Sequence, residues 1–344
     1  MTSYIYAVGL HNQGGLNILN RFLDKENPKL VYFLDSRLDI EKKKNFHFVS
    51  SNLIKRFFHF LRLKKNLQKD DHVFFLNGLP PIIKLNCKIS VAFQNANLFR
   101  EFYKINFIKW LFSFDSLRYL NFVLNSKFVD NWYIFSPRAQ EILNRHIKKY
   151  MNIKIINIYE EFRKIKVIEK NNNEEIIYDF IYPASYMEHK NHKILIDTLI
   201  DLSKQNIFPK VLITLDEKSL LKINFHEIVK KYKLNLYNKF EKDQKKFMNF
   251  YKVSRYLLYL SANETIGLPI LEAYSYGLKT IAPNLSYSSQ FIQPDFLFDL
   301  NSKSELKKVI IDCFKNKNSN NNKTKEFKYL KNSINLDEFI KKVL

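Results

Sequence analysis

The chain has 344 residues, 46% hydrophobic and 15% aromatic, enough for two domains that each bury a core. Its two cysteines, Cys87 and Cys313, are far apart and lack metal-type spacing, which argues against a disulfide or thiolate-metal framework. Lys and Arg number 56 against 34 Asp and Glu, a formal net charge of +22 that implies an anionic partner, either a membrane surface or nucleic acid, or simply a well-solvated surface.

The excess is uneven, since residues 1–165 hold 27 Lys and Arg against 13 Asp and Glu. No stretch of about 20 apolar residues occurs, so no membrane-spanning helix is expected. The first residues lack the basic and apolar regions of a signal peptide. The expected location is the cytoplasm. Only six glycines are present, so their positions are informative.

Tyr4 to Gly9 reads as a first strand and His11 to Gly15 as a tight loop. A helix follows with Leu16, Ile18, Leu19, Phe22 and Leu23 on one side, and Leu30 to Leu34 is a second strand. The glycine pair Gly14-Gly15 lets a ligand approach the backbone closely, although alone it is equally a turn.

Residues 52–69 form the strongest helix pattern of this half, with Phe57, Phe58, Phe60, Leu61 and Leu67 among Lys55, Arg56, Arg62, Lys64, Lys65 and Lys69. Such a basic amphipathic helix suits anionic lipid, and equally suits an ordinary domain helix with its apolar face in the core. His59 reads as a surface or packing residue.

Val73 to Leu76 and Ile89 to Phe93 are strands, the second ending in the polar cluster Gln94-Asn95-Ala96-Asn97 at the edge where α/β sheets bind ligands. Residues 98–128 mix aromatic and basic side chains, as a segment touching a lipid interface or a lipid-linked acceptor would, and as core helices would. Trp132 to Phe135 is a strand, followed by a helix from Ser136-Pro137.

The charged, Asn-rich stretch 169–175 marks the boundary between two halves. This divides the chain into 1–168, 169–334 and a terminal helix within 335–344 that folds back on the first domain. The second half opens with a strand at Tyr178 to Tyr182. Lys190 then precedes a helix over Ile194 to Leu202, a good place for a phosphate-binding cation. His189 and His192 are three apart, but no third ligand with suitable spacing accompanies them. Val211 to Leu215 is a strand, and Phe225 to Tyr232 and Lys245 to Tyr251 are helices.

The chain is organised around residues 256–283. Tyr256 to Leu260 is a strand, Ser261 to Gly267 a polar loop, and Leu268 to Tyr276 a helix with Pro269 at its first position. Gly277 suits the residue after the helix, and Thr280 to Ala282 begins another strand. The loop feeds a helix N-terminus that favours an anion, and Glu264 and Glu272 bracket it. Free amides for phosphate beside fixed carboxylates for hydroxyls suit a nucleotide sugar. Residues 315–325 are low-complexity Asn and Lys.

The segment SANETIGLPILEAYSYGL at 261–278 resembles the E-x7-E region of retaining glycosyltransferase family 4, and IYPASYMEHKNH at 181–192 resembles the loop carrying that family's phosphate-binding lysine. The Gly14-Gly15 loop and residues 77–98 are similar to members that build bacterial surface polysaccharide. The resemblance implies a GT-B fold, an α/β architecture of two Rossmann-like domains facing each other across a cleft. It also implies sugar transfer from a UDP- or GDP-linked donor to a lipopolysaccharide, capsule or lipid-linked glycan, with retention and without a metal or other cofactor. Glu264 would lie at the donor sugar, Glu272 would hold the ribose, and Lys190 the diphosphate, with Ile266, Gly267 and Leu268 near sugar or phosphate. Gly14 and Gly15 would close over the diphosphate, and Gln94 or Asn95 stands where the family commonly has a histidine.

Thr265-Ile266 replaces the usual Gly-Phe, and the arginine often found before the lysine is absent, with Ala184 and Ser185 in that vicinity. The expected partners are the nucleotide sugar, the acceptor and the anionic inner face of the cytoplasmic membrane, without nucleic acid. The competing readings are a sugar-nucleotide epimerase or phosphorylase on the same fold, and a basic nucleic-acid-binding protein, for which no signature is present.

Overall fold

The computed structural model describes residues 2–11, 13–23, 29–93, 114–146, 152–157, 175–316, 328 and 333–342. The chain divides into two compact units, one of residues 1–160 with 330–344 and one of residues 161–329. The Asn-rich stretch taken as the boundary lies, but for Glu175, outside the described residues, as do Gln94 and Asn95 and most of the Asn/Lys run.

The first unit is built on eight parallel strands: β1 (Ser3–Ala7), β2 (Leu30–Asp35), β3 (Phe46–Val49), β4 (His72–Phe75), β5 (Lys88–Phe93), β6 (Asn131–Ile134), β7 (Asn152–Asn157) and β14 (Ser333–Asn335). Their spatial order is β14-β7-β6-β5-β4-β1-β2-β3. An all-parallel sheet needs helices on both faces, which is why its central strands β1, β2 and β4 are largely apolar along their length rather than alternating.

One face packs on helices α2 (Leu53–Asn66), α3 (Phe114–Asn125) and α4 (Pro137–His146), with Tyr6, Phe60, Phe93, Phe122 and Trp132 in that layer. The other carries helix α1 (Gln13–Leu23) and the last helix α11 (Leu336–Lys342), whose Phe339 meets Phe22, Phe74 and Tyr133 at ring distances of 4.8–6.4 Å. Burying such a ring contributes about 2–3 kcal/mol.

Two expectations for this unit change. Gly14 and Gly15 lie in the first turn of α1 and not in a loop. Glycine weakens a helix most in its interior, and here the pair stands at its very start, where Gly15 also lies close to Leu10, an added Cβ meeting Leu10 Cδ2 at 2.9 Å. Helix α2 starts after Asn52, whose side chain accepts from the amides of Ile54 and Lys55, and ends at Asn66 rather than Lys69. Its inner face buries Phe60, Leu63 and Leu67, while Ile54, Phe57 and Phe58 stay exposed. His59 is half-buried against Tyr6, Phe33 and Phe60.

The second unit has six parallel strands: β8 (Tyr178–Tyr182), β9 (Val211–Ile213), β10 (Leu236–Asn238), β11 (Ser254–Leu258), β12 (Lys279–Pro283) and β13 (Phe296–Phe298). Their order is β10-β9-β8-β11-β12-β13. Helices α5 (His192–Ser203), α6 (Glu217–Lys222), α7 (Phe225–Tyr232), α8 (Gln244–Lys252), α9 (Leu268–Ser275) and α10 (Lys303–Lys315) complete it. In both units the first strand in sequence sits mid-sheet and the order reverses beside it, between β1 and β4 and between β8 and β11. Such reversal points open a crevice at the carboxyl ends of the strands, where ligands of doubly wound sheets bind.

Candidate functional site

At the reversal point of the second unit, two loops leave the carboxyl ends of β8 and β11 and are tied to each other. The Asn191 side-chain amide donates to the Leu260 carbonyl at 2.8 Å, and the Ala262 amide donates to the His189 carbonyl at 2.7 Å. Asn191 takes the left-handed conformation (φ 55°) between the short turn Glu188–Lys190 and helix α5, which asparagine tolerates better than most residues.

This tie places Lys190 beside Glu264. The Lys190 ammonium pairs with Glu264 Oε1, and the Tyr259 hydroxyl lies 2.7 Å from the same oxygen and 3.2 Å from Lys190 Nζ. Tyr182, at the end of β8, donates its hydroxyl to the Lys190 carbonyl. Tyr287 stacks edge-on against Tyr259 and donates to the Ser261 carbonyl at 2.5 Å. Burial first, and the Glu264 charge second, push the phenols of Tyr182, Tyr259 and Tyr287 well above their ordinary value, so all three keep their protons at neutral pH.

The loop then meets α9. Gly267 is its N-cap at φ 75°, and Pro269 sits in the first turn, one position later than expected. Gln290 Nε2 donates to the Thr265 and Ile266 carbonyls at 3.0 and 2.8 Å, fixing the chain just before Leu268. At the far end, the Gly277 and Leu278 amides close on the carbonyls of Tyr274 and Ala273, with Gly277 at φ 70°. Glu272 is buried in this helix, and Tyr251 donates to its Oε2 at 2.7 Å.

Lys190, Glu264, Ile266, Gly267 and Leu268 therefore fall at the β8–β11 carboxyl edge of the second unit, while Glu272 lies further along α9 with its side chain bonded to Tyr251 of α8. Tyr182, Tyr251, Tyr259 and Tyr287 were missed: Tyr182 and Tyr259 stand in apolar runs that read as core, while Tyr251 near the end of α8 and Tyr287 in the loop after β12 carry no motif of their own. A signal was present for two of them, since Tyr182 and Tyr259 put hydroxyls at the carboxyl ends of β8 and β11.

Of the His189 and His192 pair, His192 is buried. Burial pushes the His192 imidazole down to about 4, with the nearby Lys190 charge adding to the effect, so it is neutral and packs against Tyr182 and Tyr186. Among the described residues no group of three or more His, Cys, Asp or Glu converges as metal ligands would. Both cysteines are free, their thiols pushed up to about 12 by burial.

The reversal point of the first unit is braced differently. Asn77 donates to the Val8 carbonyl at 3.0 Å, and the Gly9 amide donates to Asp35 Oδ2 at 2.8 Å. Arg37 makes a two-pronged pair with the same carboxylate. These hydrogen bonds hold Asp35 down at about 2 despite its burial, so this carboxylate is already saturated within the protein.

Comparison with known proteins agrees with this geometry. Residues 159–329 match the family described as Glycosyl transferases group 1, and they span the second unit with the Lys190–Glu264 cluster. The chain carries a glycosyltransferase domain of that group, and its architecture is the GT-B fold.

Sucrose-phosphate synthase from Thermosynechococcus elongatus superposes with TM-score 0.65 at 13% identity, covering 92% of this chain and 90% of that one. Anabaena Alr3699/HepE in complex with UDP-glucose gives 0.65 at 13%, with 92% and 90% coverage. WaaG, a glycosyltransferase involved in lipopolysaccharide biosynthesis, gives 0.63 at 12%, with 92% and 91%. No curated protein sequence matches the chain.

Proposed function

We propose that this glycosyltransferase moves a sugar, with retention of configuration, from a UDP- or GDP-linked donor to a lipopolysaccharide, capsule or lipid-linked glycan acceptor. The observation that carries the reading is the meeting of Lys190 and Glu264 at the β8–β11 reversal point, next to the start of α9. A cation and a helix N-terminus beside a carboxylate suit a diphosphate leaving group attached to a hydroxyl-rich ring. The HepE relative, solved with UDP-glucose, and the WaaG relative support a nucleotide-sugar donor and a surface glycan respectively.

In this reaction the bond from the anomeric carbon to the diphosphate oxygen breaks and the acceptor hydroxyl oxygen bonds to that carbon on the same face. The acceptor proton passes to the departing phosphate. Lys190 and the amides at Ile266, Gly267 and Leu268 stabilise the charge that accumulates there, while Glu264 orients the sugar and stabilises its developing positive charge. Glu272, held at one oxygen by Tyr251, takes the ribose hydroxyls. Gly14 and Gly15 contribute backbone to the diphosphate, and Gln94 or Asn95 contacts sugar or acceptor. No divalent metal is required, because Lys190 already supplies a cation.

The acceptor side works against the anionic inner face of the cytoplasmic membrane, not against nucleic acid. Exposed Ile54, Phe57 and Phe58 next to Lys55, Lys64 and Lys65 on α2 support that placement. Among the described residues no helix is long and apolar enough to cross a membrane, so attachment would be peripheral.

Calorimetric titration of UDP and GDP with EDTA present, into wild type and Glu272→Ala, tests the site. One nucleotide should bind without metal. Losing the charge-assisted hydrogen bonds should cost about 1.5–3 kcal/mol, roughly ten- to a hundredfold in affinity. Failure of wild type to bind either nucleotide would remove the chemical basis of the proposal.

A further inference from the structure

Tyr259 lies one residue beyond β11, and its side chain is fully buried, with Tyr182 and Tyr287 edge-on at 6.2 and 6.3 Å. Its hydroxyl touches the two charges of the site at once, Glu264 Oε1 at 2.7 Å and Lys190 Nζ at 3.2 Å. A phenol has one proton and two lone pairs, whereas an ammonium only donates and a carboxylate only accepts. One arrangement satisfies all three groups: the proton points to Glu264 and a lone pair faces Lys190.

This geometry matters when the ion pair opens. A diphosphate that draws Lys190 toward itself takes away one of the two partners holding Glu264 Oε1. The Tyr259 hydroxyl is anchored by a ring that cannot follow the ligand, so its hydrogen bond to Glu264 persists.

We propose that Tyr259 is a positioning residue for the transfer reaction, keeping the Glu264 carboxylate aimed at the sugar while Lys190 engages the leaving phosphate. The inference rests on the glycosyl-transfer reading of this site and adds a residue to it.

The test is Tyr259→Phe, which removes only the hydroxyl. Two measurements are made on the full chain, calorimetric binding of UDP and GDP and release of the nucleotide from a panel of UDP- and GDP-hexoses. The expected result is a fall in kcat of about tenfold or more, the size of losing one hydrogen bond to a charged group, with nucleotide Kd and donor KM within about threefold of wild type. The same substitution in a Glu264→Ala background should change kcat less than about twofold, because the group it positions is gone.

A Tyr259→Phe enzyme with unchanged kcat overturns the proposal. So does a loss that multiplies fully with that of Glu264→Ala, which would mean that the hydroxyl acts through the fold and not through Glu264. Wild type that binds neither nucleotide and releases none would sink the site reading itself, and this inference with it.

Discussion

The Lys190 ammonium and the Glu264 carboxylate stand 74 residues apart in sequence and neutralise each other at the carboxyl edge of the second sheet. Both side chains are mostly buried, at 13% and 19% exposure, so the attraction is only partly screened by water. An anionic ligand reaching Lys190 must compete with Glu264, and the site carries its own competitor.

Glu264→Gln removes the competing charge while keeping the shape of the side chain. Whichever nucleoside diphosphate binds wild type should bind the variant roughly three- to tenfold tighter, corresponding to about 1 kcal/mol for a partly exposed pair. Sugar transfer should at the same time slow by about tenfold or more. Calorimetry and a turnover assay on one preparation read both changes. Weaker nucleotide binding by the variant would show that Lys190 is not the cation the nucleotide meets.

Gly267 fixes how the loop enters α9. Its φ of 75° lies in the left-handed region, and an added Cβ would stand 3.0 Å from Tyr287 Cδ2. The Tyr287 ring is held by its bond to the Ser261 carbonyl and by Tyr259, so it cannot give way without disturbing the Glu264 loop. Gly267→Ala should therefore cost about 1–3 kcal/mol, the backbone conformation supplying about 1–2 of it. Scanning calorimetry should show the second unit's transition lowered by several degrees. A transition within about one degree of wild type would mean that the loop relaxes freely.

The parts of this site that were legible in the sequence are those set by local chemistry. Pro269 and Gly277 bracket α9 because their backbone restrictions act within a turn or two of the residue itself. The strands β8 and β11 were legible because parallel strands covered on both faces carry short apolar runs, here Phe180-Ile181-Tyr182 and Tyr256-Leu257-Leu258. By contrast, β10, β13 and β14 have three residues each and depend on a neighbouring edge for their hydrogen bonds, so no sequence period marks them. The tyrosine cluster was hidden for another reason. Tyr182 and Tyr259 are 77 positions apart and acquire a shared role only when β8 and β11 become neighbours. Gly14 and Gly15 were placed in a loop because glycine pairs usually break helices; in the first turn of α1 they do not, and Gly15 there sits close to Leu10.

His192 gives the second unit a specific acid sensitivity. Its folded value of about 4 lies below the ordinary 6.5, mainly through burial and then through Lys190. The unfolded chain therefore binds a proton that the folded chain refuses between pH 6.5 and 4. Stability from this group is complete above pH 6.5 and is lost as pH falls toward 4, up to about 3 kcal/mol. His192→Phe keeps an aromatic ring against Tyr182 and removes the titration. Thermal melts across pH 4–7 should show a shallower acid decline for the variant than for wild type. Parallel curves would mean that the imidazole is protonated in the folded protein.

The outer face of α2 separates the two partners that a net charge of +22 allows. Ile54 is 68% exposed, Phe57 42% and Phe58 57%, and lysines flank them at 55, 64 and 65. Nucleic acid would use the lysines and gain little from the apolar tips, whereas an anionic bilayer uses both. Phe57→Ser with Phe58→Ser leaves the buried Phe60, Leu63 and Leu67 untouched, so the helix should remain packed. Cosedimentation with phosphatidylglycerol-containing vesicles should weaken roughly ten- to a hundredfold, on the scale of about 1 kcal/mol for each partly inserted ring. Wild-type binding should also fall as salt rises, because the lysines contribute through a screened attraction. If wild type ignored the vesicles yet held duplex DNA at physiological salt, and the double substitution left that binding unchanged, the basic surface would belong to nucleic acid and the membrane placement would fall.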